Sequence, residues 1–313
     1  MNEAQLREGL LNVAVPGLFG ALSLLITFWI ASIMRKKDEH SKFAKKLERL
    51  GPVLGLSAAY ITVLAIYPTL KLTGGSASDR QGVIVIAAVL FAIIESLTSR
   101  ATVQPTVRWF GRLILVGGIL GYQYVSIRRQ WAPGTETIAW HAGIGLWMLF
   151  AFGALDRLST KTTITPAALS LAVVPMLALP SIFNAGAASN WQVAMGVGFS
   201  LVGITLAGLV FRGRSIGHAI GTVYIVWLSG VLVACHFVSY MPLWHACVLA
   251  ATPLMMVVPE FVPKLKGKAE AGVRFALLAA ACIAISWASV PSFMDALTGK
   301  SSGDEFDYYG MVE

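Results

Sequence analysis

The chain has 313 residues, 56% of them hydrophobic and only 13% charged, with a formal net charge of +8. An average soluble domain is about 25% charged, so this composition, with a mean hydropathy of +0.71, excludes a disordered protein and an ordinary soluble enzyme. Three cysteines in a chain of this length exclude a disulfide scaffold. What remains is a polytopic membrane protein. Its positive charge is expected in loops on one membrane face, and nucleic acid is not an expected partner.

Backbone amides in hydrocarbon have to be satisfied within the segment, so an apolar run of about 20 residues reads as a spanning helix. Ten such runs follow one another: Val15–Met34, Gly51–Leu70, Gly82–Ser99, Leu113–Ile127, Ile138–Leu155, Ile164–Phe183, Trp191–Phe211, Ile216–Tyr240, Leu243–Pro263 and Phe275–Met294. The expected fold is all-α, a polytopic integral membrane helical bundle of about ten transmembrane helices with no soluble domain. A single transmembrane domain, 15–294, is flanked by an external segment, 1–14, and an acidic external tail, 295–313. Ten spans could divide into halves 15–155 and 164–294, inverted relative to one another as in many carriers.

Orientation follows from basic residues. The odd-numbered loops hold 18 of the 24 Lys and Arg, led by Arg35, Lys36, Lys37, Lys42, Lys45, Lys46 and Arg49 in the first. The positive-inside rule places these loops in the cytoplasm and both termini outside a plasma or inner membrane. In segment 35–50, Phe43, Leu47 and Leu50 recur at i, i+4 and i+7 beside the lysines. That pattern fits a short helix lying on anionic lipid at the inner face, or a solvated connector that only sets topology.

Candidate chemistry is sparse. Glu95 and Glu260 are the only acids inside the spans, and an ionisable group at membrane depth is costly enough to suggest function. Glu95 has Arg100 and Arg112 near in sequence, Arg112 being expected to snorkel from the fourth span to the headgroups. Glu260 has Lys264 and Arg274. Prolines interrupt the sixth and ninth spans at Pro175, Pro180, Pro253 and Pro259, with Asn184 following; an interior proline frees a carbonyl one turn back, and such breaks line solute paths in carriers. His141, His236 and His245 are expected at similar depth near the outer face, where they would form a metal or haem site if they converged. Cys235 and Cys247 match in depth across the turn at Met241-Pro242 and would pair as a disulfide if the outside is oxidising. Glycines at spacing four, Gly51–Gly55, Gly117–Gly121 and Gly213–Gly217–Gly221, mark close helix contacts.

No phosphate-binding loop, HExxH or GxSxG motif occurs. No cofactor is expected. The leading expectation is a small-solute permease with Glu95 and the proline-broken helices along its path. The alternatives are a non-catalytic subunit or assembly factor with membrane-protein partners, and a redox or metal protein using the outer histidines.

Overall fold

The computed structural model describes residues 3–38, 41–66, 77–98, 105–123, 135–185, 188–211, 213–238 and 241–298. Among these the secondary structure is all helical, without a strand. The helices are α1 (Glu3–Lys37), α2 (Lys42–Ile66), α3 (Ala77–Thr98), α4 (Pro105–Gln123), α5 (Thr135–Lys161), α6 (Ile164–Leu177), α7 (Leu179–Asn184), α8 (Ala188–Gly208), α9 (Ala219–Val233), α10 (Leu243–Met255), α11 (Lys268–Ser286) and α12 (Val290–Thr298). Seven segments are long and apolar enough to cross a membrane, by length and composition; Leu243–Met255 is a shorter apolar helix.

Several helices outrun the apolar windows. Helix α1 begins at Glu3, ahead of the first apolar window, and runs through Pro16. The basic segment does not form its own surface helix: Lys42–Leu50 is the start of α2, which runs without interruption to Ile66. A charged turn continues a helix readily, because lysine and arginine are good helix formers. Asp156 likewise lies within α5, which continues to Lys161. The tail beyond Thr298, and Arg100, lie outside the described residues.

Prolines do interrupt the sixth and ninth apolar segments. The helix breaks at Ala178, ahead of Pro180, and Ser286 of α11 donates to the Leu177 carbonyl at that break, at 2.8 Å. Pro253 cannot donate to the Leu249 carbonyl, and the Thr252 hydroxyl does so at 2.7 Å. Beyond Met255 the chain continues as a 3₁₀ turn, Val258–Phe261, that contains Pro259.

Helix α9 is apolar on every side and all its residues are buried, as expected for a central helix. It packs against α2, α3, α5 and α10, while α1, α2, α8 and α6 form a second group beside it. Glycine sets that second group's spacing. A Cβ at Gly20 would overlap the Ser200 carbonyl, and one at Gly203 would overlap the Gly17 carbonyl, so α1 and α8 touch through their backbones. Gly51 and Gly55 face Thr27 and Ser23 of α1, as their spacing predicts. Gly117, Gly118 and Gly121 have nothing within 4 Å, so that α4 stripe is unpacked among the described residues. Gly213 and Gly217 lie in the turn before α9 at φ of 81° and 82°, a left-handed backbone that glycine adopts without strain.

The bundle is apolar on much of its exterior as well as in its core. Trp287 is 75% exposed and Phe150 68%, while Arg112 is fully buried. Water does not tolerate so broad an apolar exterior; hydrocarbon does.

Candidate functional site

The largest polar constellation sits where α3, α4, α5 and the start of α9 meet. Glu95 lies in the last turn of α3, Arg112 two turns into α4 and Asp156 near the end of α5. The Arg112 guanidinium donates to both Asp156 oxygens, at 2.7 and 2.9 Å, and to Glu95 Oε1 at 2.8 Å. This bidentate fork is a geometry that lysine cannot make. The guanidinium also lies over the rings of Trp109 and Phe152, 5.4 and 5.0 Å from their centroids. The other Glu95 oxygen accepts from the Thr222 hydroxyl of α9 at 2.8 Å.

Arg108 stands one turn before Arg112 and adds a 3.1 Å ion pair to Asp156. His218, just before α9, has Nδ1 3.0 Å from Ser159 Oγ and 3.4 Å from Asp156 Oδ1. The Ser159 hydroxyl already donates to the Asp156 carbonyl, so Nδ1–H is the donor toward Ser159. Two arginines thus balance two carboxylates, with a half-exposed histidine at the edge. A cavity of about 10 Å³, lined by Arg49, Glu95, Ser96, Arg108, His218 and Ala219, abuts the cluster; it has room for roughly one water. Chemically, the arrangement can hold charge at low dielectric, exchange ion-pair partners and relay a proton along its edge.

Two further ionic groups are built from the same loops. Glu48 bridges Arg35 at 2.8 Å and Arg214 at 3.5 Å. Glu260 accepts from Arg157 at 2.8 Å and lies 3.7 Å from the buried Arg274, which also pairs with Glu270 and donates to the Met256 carbonyl beside the α10 break.

The residues singled out from sequence do not share one site. Glu95 joins the ionic cluster. Its partner Arg112 does not snorkel: the side chain is fully buried and held between Glu95 of α3 and Asp156 of α5. Pro175 and Pro180 stand at the other end of α6–α7, Pro175 against Gly198 of α8, and Asn184 is exposed. Pro253 and Pro259 flank the α10 break. The histidines part company as well: His141 donates to the Thr137 carbonyl, His236 to the Met241 carbonyl, and His245 is hydrogen-bonded to Ser181 at 2.9 Å. No group of three or more His, Cys, Asp or Glu capable of holding a metal occurs among the described residues. Cys235 and Cys247 are both free thiols, the first buried and the second exposed. Equal depth fixes height along the bundle but not rotation about a helix, so residues matched in depth need not meet.

Asp156, Arg108, Thr222 and His218 are the members that the sequence reading left out of the site. Their signal was available: a lone acid in an apolar run requires a cation at its own depth, and Arg108 and Arg112 are spaced i, i+4 on one helix face. No protein-family model matches the chain, and no curated protein is significantly similar to it.

Proposed function

We propose that this protein is a small-solute permease of ten spans, both termini outside, with the Glu95–Arg112–Asp156 cluster as its inner gate. In this reading α2, α4 and α10 cross the bilayer along with the seven longer segments, and the basic loops, with anionic lipid against 35–50, face the cytoplasm. The observation that carries it is the buried Arg112 held by carboxylates from two other helices while Thr222 reaches in from the second half of the chain. Ionic groups at membrane depth, shared between halves, are a recurrent device of carriers, because exchanging ion-pair partners lets one half move against the other. The packing pattern supports it. The second span (α2) packs on the seventh (α8), and the third (α3) on the eighth (α9), so contacts run between the two halves.

The test is uptake by proteoliposomes across a panel of amino acids, sugars, nucleosides and aromatic solutes. At least one solute is expected to accumulate, and Glu95→Gln, still monodisperse in detergent, is expected to lower that rate about tenfold or more. Flat uptake across the panel with the wild-type chain overturns the reading.

A second reading, a subunit or assembly factor of a larger membrane complex, is favoured by the unpacked Gly117, Gly118 and Gly121 face of α4, which would admit a partner helix. Purification in mild detergent as a stable monomer, with no partner protein, counts against it.

A further inference from the structure

We infer that the cavity between α5, α9 and α10 is a binding site for an uncharged aromatic molecule of one or two rings. It lies at the end of the bundle opposite the ionic cluster and would bind its occupant whether or not the protein then carries it. Its volume is about 240 Å³, and its walls include Trp140, Ile144, Trp147, Leu232, Phe237 and Ala246. A dry apolar cavity of about 150 Å³ holds benzene, and sites for drug-sized ligands start near 300 Å³, which brackets the occupant's size.

Its chemistry follows from the wall, where three side-chain N–H and O–H donors are already committed to backbone carbonyls. Trp147 Nε1 donates to the Ala250 carbonyl at 2.7 Å, Ser229 Oγ to the Val226 carbonyl at 2.9 Å, and His236 Nδ1 to the Met241 carbonyl at 2.7 Å. A charged or strongly polar solute would lose its hydration here and gain little in return. The aromatic walls select rings over chains. Trp140 and Phe237, in edge-on contact with centroids 5.0 Å apart and planes at 90°, both line the cavity. A flat ring packed against aromatic walls gains beyond its buried area. The π-helical turn Ala234–Val238 carries His236 and Phe237 into this wall; such turns are rare and recur at functional sites. At Gly143, also in the wall, a Cβ would meet nothing within 4 Å.

The cavity carries its own reporter. Cys247 lines it and is exposed, whereas Cys235 and Cys282 are buried. The experiment follows alkylation of Cys247 by N-ethylmaleimide, using peptide mass spectrometry on the full chain in nanodiscs, with naphthalene or decane added. Naphthalene at ten times its dissociation constant is expected to slow alkylation about tenfold and saturably. Gly143→Phe, whose ring fills the space, is expected to abolish that protection. In 19F NMR, 1-fluoronaphthalene is expected to give a bound line that Gly143→Phe removes; this second readout decides the matter if Cys247 proves unreactive. Absence of both protection and a bound line overturns the inference. Equal protection by decane overturns it in favour of a lipid acyl chain, and protection that survives in Gly143→Phe assigns the effect to the bilayer. Uptake does not enter either readout, so the site can stand where the permease reading fails, and the reverse.

Discussion

Helices α5 and α9 pass through both ends of the molecule, and the two ends are built on opposite terms. From Trp140 to Asp156 along α5 is about 24 Å at 1.5 Å per residue. At the Asp156 end the helices are tied together by charge: Arg112, Glu95, Thr222, His218 and Arg108 interlock with little free volume. At the Trp140 end the same helices separate around an apolar cavity whose polar groups are satisfied locally. Two buried carboxylates and a buried guanidinium have no stable alternative to one another in a low-dielectric interior. Apolar walls have no such obligation, and void space persists there at modest cost. The charged end therefore confers specificity on the packing, and the apolar end retains room for a guest.

The comparison can be broken at the charged end first. Arg112→Met takes the central cation from Glu95 and Asp156 and leaves Arg108 at the edge as their remaining counter-charge, and a loss of about 3 kcal/mol in unfolding free energy is expected. Denaturant titration in detergent measures it; an unchanged midpoint would show that the cluster is solvated. Adding Glu95→Gln and Asp156→Asn to that variant should recover part of the loss, because the like charges then vanish.

Next in size is the α1–α8 crossing, which serves as a control for close packing without charge. Gly20→Leu would drive a side chain into the Ser200 backbone and is expected to lose about 1–3 kcal/mol in the same titration. Gly117→Leu on the unpacked α4 face should stay within about 0.5 kcal/mol of the parent. If the two glycines behave alike, the helix contacts described here do not hold in the bilayer.

Smaller effects are expected at the apolar end. Trp147→Phe removes one hydrogen bond, to a carbonyl that keeps its helical environment, and about 1 kcal/mol is expected. Gly143→Phe is expected to leave the melting temperature within about 2 °C, since its ring enters open space. A large destabilisation by Gly143→Phe would mean that the cavity closes in solution.

Much of the helical layout was legible in the residue order. Among the described residues most of each apolar window is helical, and the interruptions near Pro180 and Pro259 occur where proline denies the backbone a donor. Glu95 stood out because an acid in an apolar run is unusual anywhere. The rest of its site was less visible. Asp156 reads as a loop residue because it follows the last apolar residue of its run, yet α5 continues to Lys161 and carries it inward. Arg112 reads as a headgroup anchor because arginine at the end of a run usually is one; its direction depends on the rotation of α4, which neighbouring helices set. His236 and His245 were matched in height, and rotation again separated them.

The amino-acid order by itself determined the solvent suited to this polymer and the segments that become helices, because hydropathy and backbone hydrogen bonding are local and add along the chain. Only the tertiary structure decided that Glu95, Arg112 and Asp156 share one set of charges and that Trp140 and Phe237 wall a cavity. Those outcomes depend on how each helix is turned and how closely it approaches its neighbours, and both are fixed by contacts such as Gly20 on Ser200, between residues far apart in the chain.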